Sequence, residues 1–454
     1  MKKNLAYTAF VALILLLCLI PSAGMLFNGR AETGGNEILA VMPSLRGPDG
    51  ALNTDYLSDL TAYAGDNYFL RQRLVTAWSA LNQKLLHTSI TDSVLLGRDG
   101  WLYFAETLGG YTGAETLSSR EISSAAHNLA LMAEYAQGRG ARFLFTVAPN
   151  KNTVYPEHMP DLPVFSPERS AGALAAALAE EGVPYLDLIS VFASQDETLY
   201  FTQDSHWNSK GAALVAESIN AALDREGTRY FHDGSFSPED DHLSDLYAML
   251  YPTSTWRETD MKYDGELVFD YDVPIRDANS ITIMTTGQGE GSLLMFRDSF
   301  GNLLYPYMAD GFEHALFSRG ADYRLDLIAE READCVVIEL VERNLDYLLR
   351  YVPVMPAPVR EAPETERELD GHFSLEVEPS RDMEGYVLLK GALPESLPAY
   401  SSVLLCTGRD CYEAFQLKDG HFALYVPEDT LTGDQFTVLL AGEDGGMFSI
   451  PALL

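Results

Sequence analysis

Two short segments of the chain carry side chains that could perform nucleophilic chemistry together. Asp204 and His206 are two residues apart, and in an extended segment residues with that spacing point to the same side. Asp204 could then hold His206 in one tautomer and leave its far ring nitrogen free to take a proton. Ser299 follows an apolar run and could supply that proton and act as the nucleophile. The three residues predict a Ser-His-Asp arrangement, which points to acyl chemistry.

Each of these residues also has a simpler structural interpretation. Asp298 and Ser299 are favoured caps of a helix start, and a lone histidine is more often a satisfied structural residue. The position of Asp204 beside His206, between a strand and a helix, favours catalysis. A helix that begins after Ser299 would offer backbone N–H groups and positive dipole to a developing oxyanion.

The elements that must position these residues alternate between strand and helix. The predicted strands are Phe143–Val147, Pro184–Leu188, Ile281–Met284, Ser292–Phe296, His314–Phe317 and Cys335–Leu340, after a hairpin of Val94–Leu96 and Trp101–Phe104; the predicted helices are about Tyr56–Leu86, Arg120–Gln137, Pro167–Glu181, Gly211–Leu223 and Leu303–Met308. Apolar strands that alternate with helices indicate an α/β fold with a mostly parallel sheet covered on both faces. Functional groups collect at the carboxyl ends of such strands.

The pattern changes after the proline-rich residues 352–363. Short alternating strands separated by turns follow, which predicts a C-terminal β-sandwich of about ninety residues. We therefore expect four units: a membrane anchor over residues 1–28, a stalk and juxtamembrane helical segment over 29–90, an acyl-transfer domain over 91–355 and the β-sandwich over 364–454.

The N-terminus predicts a location outside the cytoplasmic membrane. Lys2 and Lys3 precede an apolar run from Leu5 to about Phe27, long enough to span a bilayer with the body of the protein outside. An uncleaved anchor is favoured over the alternative, a cleaved signal peptide and a secreted protein. An exported location would also allow a disulfide between Cys406 and Cys411, which are close in sequence.

Composition limits the partners of the chain. Asp and Glu number 66 against 31 Lys and Arg, a formal net charge of -35. A surface this negative repels nucleic acid and offers no general attraction to anionic lipid or anionic polymer. We expect no metal and no cofactor, because the chain lacks Cys-x-x-Cys and His-rich ligand patterns. An acidic stretch could attract a cation but is more typical of a solvated loop; its residues are Glu239, Asp240, Asp241, His242 and Asp245.

Several motifs spread along the chain together resemble one family. They are Tyr68-Phe69-Leu70-Arg71, Gly97-Arg98-Asp99-Gly100-Trp101-Leu102-Tyr103, Pro149-Asn150-Lys151, Val154-Tyr155-Pro156, Asp204-Ser205-His206-Trp207, His242-Leu243-Ser244-Asp245-Leu246 and Arg297-Asp298-Ser299-Phe300-Gly301. Over about residues 55 to 350 the chain resembles the DHHW family and the alginate O-acetyltransferase type of SGNH-like protein. Two positions depart from the family pattern: Ser205 stands at the second position of the Asp-His-His-Trp signature, and Arg297 replaces the glycine of a Gly-Asp-Ser motif.

The resemblance implies an SGNH-hydrolase-like sheet with Ser299 as nucleophile, His206 as general base and Asp204 as the residue that orients it. Because Arg297 departs from the family pattern, only the Ser299 backbone N–H is assigned as a hydrogen-bond donor to the oxyanion. Weaker candidates for lining the substrate pocket, each with an equally good structural interpretation, are Asn150, Lys151, Tyr305 and Arg319.

The implied function is an extracytoplasmic, membrane-anchored O-acetyltransferase that acts on hydroxyls of a cell-envelope or exported polysaccharide through an acyl-serine. The resemblance further implies a membrane-bound O-acyltransferase partner that brings the acetyl group across the bilayer. Two alternatives stay open: an acetylesterase with the same triad, and a non-catalytic glycan-binding or assembly protein. Because the net charge of -35 repels a polyanion unless the cleft is locally basic, a neutral glycan is the expected acceptor.

Overall fold

The helices and strands alternate along the chain as the sequence predicts, up to a strand-rich C-terminal region. A computed structural model describes residues 2–28, 39–47, 50–225, 227–365, 367–369, 373–393, 400–407, 410–432, 436–442 and 446–453. The α-helices are α1 (Lys2–Asn28), α2 (Tyr56–Asn67), α3 (Arg71–Leu86), α4 (Leu108–Thr112), α5 (Ser119–Gln137), α6 (Lys151–Val154), α7 (Ser170–Glu181), α8 (Leu188–Ala193), α9 (Ser209–Ala222), α10 (Tyr230–Asp233), α11 (Asp245–Leu250), α12 (Gly301–Asp310) and α13 (Leu327–Glu330).

The strands fall into two groups along the chain. The first group is β1 (Val94–Leu96), β2 (Leu102–Phe104), β3 (Arg142–Ala148), β4 (Tyr185–Leu186), β5 (Phe236–His242), β6 (Glu258–Tyr263), β7 (Phe269–Tyr271), β8 (Thr282–Gly287), β9 (Ser292–Phe296), β10 (His314–Ser318) and β11 (Cys335–Val341). The second group is β12 (Val359–Arg360), β13 (Arg367–Glu368), β14 (Phe373–Ser374), β15 (Glu376–Pro379), β16 (Tyr386–Ala392), β17 (Tyr400–Thr407), β18 (Asp410–Glu413), β19 (Phe415–Gln416), β20 (His421–Pro427), β21 (Phe436–Gly442) and β22 (Met447–Leu453).

The central sheet is mostly parallel, as predicted. Its strand order is β4-β3-β11-β9-β10-β8-β7, and β4, β3, β11, β9 and β10 pair in parallel while β8 and β7 add an antiparallel edge. Alternate residues of β3 enter opposite cores: Phe143 and Phe145 pack with α5 and α7, while Leu144 packs with α8, α9 and α12. Burial on both faces explains why β3, β9 and β11 are nearly continuous apolar runs.

The N-terminal part differs from the single helix predicted over Tyr56–Leu86. That segment forms two helices, α2 and α3, because the backbone leaves the helical conformation after Asn67: Tyr68 is extended, and Leu70 is left-handed with φ of 67°. Within the described residues one helix is long and apolar enough to cross a membrane, at Tyr7–Met25. Residues 29–38, at the start of the predicted stalk, lie outside the described residues.

The C-terminal strands form two sheets that share one core, as expected for a sandwich. One sheet has the order β12-β18-β17-β21-β22-β13, with β14 also paired to β22, and the other has the order β15-β16-β20-β19. Leu389 and Leu424 from one sheet pack with Val403 and Val438 from the other. A disulfide joins Cys406 and Cys411 across the β17–β18 hairpin.

Helix α5 connects the two parts of the protein through Asn128, whose side chain is fully buried. Its Nδ2 donates to the carbonyl oxygens of Leu348 (3.0 Å) and Gln416 (2.8 Å), and its Oδ1 accepts from the Gln416 N–H (2.9 Å). One amide therefore satisfies backbone groups of the short edge strand β19 that would otherwise be buried without partners.

We predict that Asn128→Ala destabilises the protein by about 3 kcal/mol, because each buried polar group left unpaired costs about 1–3 kcal/mol. Urea unfolding would show a lower transition midpoint. Gln137→Ala, at an exposed position on the same helix, is the matched control and should leave the midpoint nearly unchanged. Equal midpoints for the two variants would contradict this role of Asn128.

Candidate active site

The segment before α9 is held in place by a buried tryptophan and a helix cap. Trp207 is fully buried, and its ring lies 4.8 Å from that of Phe300. Asn208 caps α9, since its Oδ1 accepts from the Gly211 N–H at 2.9 Å. A Cβ on Gly211 would lie 2.4 Å from the Leu199 carbonyl oxygen, so only glycine fits there. These contacts fix the backbone on either side of His206.

Asp204, His206 and Ser299 form one hydrogen-bonded chain. His206 Nδ1 lies 2.6 Å from Asp204 Oδ1, and His206 Nε2 lies 2.9 Å from Ser299 Oγ. Asp204 is 3% exposed, whereas the His206 side chain is 19% exposed. With Nδ1–H donating to Asp204, Nε2 is free to accept the Ser299 proton. The juxtaposition expected from the sequence is present.

The Asp204 carboxylate receives four hydrogen bonds. Oδ1 accepts from the His206 backbone N–H (3.0 Å) as well as from its ring, and Oδ2 accepts from His242 Nε2 (2.9 Å) and the Asp245 backbone N–H (2.8 Å). The His242 ring stacks on Phe201 with centroids 3.7 Å apart. Both oxygens are therefore fixed, and the carboxylate cannot rotate away from His206.

The predicted acidic loop needs correction at two residues. Residues 239–241 are exposed on β5, as expected for a solvated stretch, but His242 and Asp245 turn toward the site. Asp245 accepts from the Ser205 N–H (2.8 Å) and Oγ (2.6 Å) and lies 3.7 Å from His206 Nδ1. The reason is the β5–β6 hairpin, absent from the sequence prediction, which brings this segment against Asp204.

Lys151 holds the loop that contains Asp204 through hydrogen bonds to its backbone. Its buried Nζ donates to the carbonyl oxygens of Phe201 (3.1 Å), Thr202 (2.9 Å) and Asp204 (2.5 Å). An ammonium has three donors, so the structure uses all of them on the loop and leaves none for a substrate. Burial lowers the pKa of Lys151 to about 8, against the raising effect of the Asp204 carboxylate.

The nucleophile segment is held by Asp298 after β9. Asp298 Oδ1 accepts from the Phe300 N–H (2.8 Å), and Oδ2 accepts from the Val341 N–H (2.7 Å) at the end of β11. The Asp298 N–H donates to Glu339 Oε2 (3.1 Å), and burial, together with the Asp298 charge, holds the pKa of Glu339 well above its ordinary range. Asp298 thus ties the turn that presents Ser299 to the central sheet.

The buried side chain of Arg297 accounts for the glycine at position 301 of the motif that contains Ser299. Its guanidinium is buried and donates to Asn302 Oδ1 (2.7 Å) and the Ala278 carbonyl oxygen (2.8 Å). A Cβ on Gly301 would lie 2.6 Å from the Arg297 Cδ, so glycine at 301 makes room for the arginine side chain. Burial lowers the pKa of Arg297 to about 10.

Tyr305 and Arg319, predicted pocket residues, belong to the polar surroundings of Arg297. The Tyr305 hydroxyl lies 2.7 Å from that of Tyr271, and the Arg297 guanidinium lies 5.4 Å from the centre of the Tyr305 ring. Arg319 Nη1 donates to Asn279 Oδ1 at 2.8 Å. Their roles as substrate-binding residues remain predictions.

Asn150, the fourth predicted pocket residue, lies at the carboxyl end of β3. Its backbone N–H donates to Glu342 Oε2 (2.9 Å), and its buried Oδ1 has no hydrogen-bond partner among the described residues. It lines a cavity of about 700 Å³ together with Arg343. Asn150 thus lies at the wall of the cavity with a buried amide oxygen that no described group satisfies.

Opposing effects set the charge states of the triad. Burial lowers the pKa of His206, but the charge and hydrogen bond of Asp204 outweigh it and raise the pKa above its ordinary value of 6.5. Burial raises the pKa of Asp204, and His206 and His242 together bring it well below its ordinary value. The geometry therefore stabilises an Asp204 carboxylate beside a histidine with increased basicity, as a general base requires.

Sequence reasoning placed His242 and Asp245 in a motif and in an acidic stretch without foreseeing their contacts with Asp204 and Ser205, and it did not name Glu258. Glu258 accepts from Thr202 Oγ1 (2.7 Å) and Ser244 Oγ (2.6 Å), which joins the loop to the start of α11. Glu258 and Asp260 share one face of β6 by their spacing, and this alternation is the signal that could have indicated the hairpin.

We predict that the pKa of His206, measured by NMR titration of labelled histidine rings, lies above 6.5. In Asp204→Asn the pKa should fall, because burial then acts on the imidazolium without the carboxylate that stabilises it. His232 is an exposed histidine outside the candidate site. The variant His232→Gln is the control: it should remove one histidine signal and leave the His206 pKa unchanged. An unchanged His206 pKa in Asp204→Asn would contradict the coupling.

Comparison with known proteins finds similarity over part of the chain. Residues 94–253 match the family model described as SGNH hydrolase-like domain, acetyltransferase AlgX. The probable alginate O-acetylase AlgJ of Pseudomonas syringae pv. tomato is 26% identical over 178 residues, which cover 38% of this chain and 44% of the relative. The same-named protein of Pseudomonas aeruginosa is 24% identical over 234 residues, 49% of this chain and 54% of the relative. The chain spans about half the length of the curated relatives it matches.

Solved structures with similar chains include the O-acetyltransferase domain of Pseudomonas putida AlgJ, with a TM-score of 0.37 and 17% identity over 56% of this chain and 92% of that one. A DHHW family protein from Eubacterium siraeum has a TM-score of 0.42 and 15% identity over 58% of this chain and 97% of that one. Asp204 and His206 lie within the residues matched by the family model, and Ser299 lies beyond them. The resemblance of this chain to the alginate O-acetyltransferase type of SGNH-like protein, predicted from its motifs, is confirmed.

Proposed function

We propose that the protein is an extracytoplasmic serine-dependent O-acetyltransferase that modifies hydroxyls of a cell-envelope or exported polysaccharide. The observation that carries the proposal is the chain of hydrogen bonds from Asp204 through His206 to Ser299. The similarity of residues 94–253 to an acetyltransferase domain and the names of the curated relatives support acetyl as the acyl group.

The reaction proceeds in two acyl transfers. Ser299 Oγ forms a bond to the acetyl carbonyl carbon while its proton passes to His206 Nε2, and the donor's leaving group departs with that proton. A sugar hydroxyl then attacks the carbonyl carbon of the acetyl-serine and gives its proton to His206, which passes a proton to Ser299 Oγ as the bond between Ser299 and the acetyl group breaks. The Ser299 N–H, without an acceptor among the described residues, and the start of α12 offer stabilisation to the oxyanion.

The acceptor would occupy the cavity of about 700 Å³ that Asn150 and Arg343 line. A smaller crevice shares these two residues and reaches Ser205, between Asp204 and His206. Five carboxylate and four cationic side chains line the cavity, so it offers no local positive potential to offset the net charge of -35. This balance favours an uncharged glycan over a polyuronate.

The proposal also covers where the protein lies and which partner supplies its acetyl groups. Helix α1 would anchor the chain with the catalytic domain outside the membrane, which the flanking lysines and the Cys406–Cys411 disulfide support. A membrane-bound O-acyltransferase would then deliver the acetyl group to Ser299 from the membrane side.

We predict that the wild-type protein transfers acetyl from p-nitrophenyl acetate to neutral oligosaccharides and not to oligouronates. Ser299→Ala should lower the rate by roughly 10⁴-fold or more, the order of loss when a serine triad is broken. Mass spectrometry of the sugars and an acetate assay measure the two products. Ser194→Ala, an exposed serine after α8, is the control and should retain activity.

The alternatives give different results in the same assay. Free acetate without acetylated sugar would identify an acetylesterase. Glycan binding without Ser299-dependent turnover would identify a non-catalytic binding protein and contradict the proposed activity. Acetylated oligouronates would show that the charge argument about the cavity is wrong while leaving the chemistry intact.

A further inference from the structure

Helix α3 carries a row of large apolar side chains that faces away from the rest of the described protein. The exposed fractions are 44% for Leu74, 57% for Trp78, 48% for Leu81 and 64% for Leu85. Their spacing of four, three and four residues places them on one side of the helix. We call these four residues the α3 stripe. A contiguous exposed apolar row of this kind marks an interaction surface.

The opposite side of α3 is fixed to the catalytic domain by polar contacts. Thr76 Oγ1 accepts from the Thr253 N–H (3.2 Å) and lies 2.9 Å from its hydroxyl, and Gln83 Oε1 accepts from the Tyr251 hydroxyl. An ordinary surface helix places its apolar side inward and its polar side outward. Helix α3 does the reverse, so its apolar side is available to something outside the described protein.

The charge of α3 is opposite to that of the chain. It contains Arg71, Arg73 and Lys84 and no Asp or Glu, in a protein with a net charge of -35. Arg73 and Lys84 are exposed, and at about 100° per residue they lie along one edge of the α3 stripe. Apolar residues that include a tryptophan, bordered by cations, are typical of helices that lie in a membrane interface.

Phe69, two residues before α3, contacts the apolar helix α1. The Phe69 N–H donates to the Pro21 carbonyl oxygen at 3.2 Å, and a Cβ on Gly24 would lie 2.4 Å from the Phe69 ring. Pro21 and Gly24 belong to the last third of the candidate span Tyr7–Met25. If that span crosses a bilayer, α3 begins at the bilayer surface.

We propose that α3 lies on the outer surface of the membrane. The α3 stripe enters the boundary between headgroups and acyl chains, and Arg73 and Lys84 face the phosphates of anionic lipids. Because the other side of α3 is bonded to Thr253 and Tyr251, this second contact sets the orientation of the catalytic domain on the membrane. The contact of Phe69 with the apolar helix α1 favours a lipid surface as the occupant, and Arg73 and Lys84 give α3 a local positive charge that suits anionic headgroups despite the net charge of -35 on the whole chain. The inference does not depend on the acetyltransferase activity.

The test uses the full chain reconstituted into vesicles of phosphatidylethanolamine and phosphatidylglycerol, with and without brominated acyl chains that quench tryptophan fluorescence. The chain has four tryptophans; Trp101 and Trp207 are buried, and Trp256 is 41% exposed. We expect lipid quenching in the wild type, loss of most of it in Trp78→Phe, and retention in the matched control Trp256→Phe.

A second variant tests the charge component. Arg73→Gln combined with Lys84→Gln should reduce the quenching in anionic vesicles and change it little in vesicles of phosphatidylcholine. Equal lipid quenching in wild type and Trp78→Phe would overturn the proposal. So would quenching of Trp78 by aqueous iodide alone, which would show a water-facing helix. Protection of Trp78 from both quenchers would also overturn it and identify a protein, not lipid, as the partner.

Discussion

The buried carboxylate of Asp204 is the group on which the arrangement of the site depends. It is 3% exposed, and an anion in that position is stable only if hydrogen bonds replace its water. His206, His242 and the Asp245 backbone supply them. Because two segments of the chain, residues 204–206 and residues 242–245, meet at one carboxylate, the same bonds that compensate its burial also fix the histidine that faces Ser299.

The need to satisfy that carboxylate accounts for features outside the triad. The β5–β6 hairpin contributes His242 and, through Glu258, holds the preceding residues of the loop. Lys151 places its ammonium beneath the loop and neutralises part of the negative charge gathered there. The central sheet fixes the position of Ser299, because Asp298 joins the turn that carries Ser299 to the end of β11. The geometry of the candidate site therefore follows from the hydrogen bonds that its buried polar groups require.

Much of this could be predicted from the sequence. Apolar runs identified β3, β9 and β11, and the two-residue spacing of Asp204 and His206 indicated that they act together. The contacts of His242 and Asp245 with Asp204 and Ser205 join residues about forty positions apart in the sequence. Local sequence patterns do not indicate such contacts, so the two residues are interpreted from the sequence as part of an acidic loop. The break at Leu70 was missed because a left-handed leucine has no composition signal. The three bonds that Lys151 donates to the loop could not be predicted, because the burial of its ammonium depends on the tertiary structure.

The most direct test of the account is to trap the acyl-enzyme. Wild-type protein would be mixed rapidly with p-nitrophenyl acetate without an acceptor, quenched in acid, digested and analysed by peptide mass spectrometry. The account predicts one acetyl group on Ser299, lost when a neutral oligosaccharide acceptor is added and greatly reduced in His206→Ala. Turnover of the ester without acetyl on Ser299, or equal acetylation of Ser299 in His206→Ala, would contradict it.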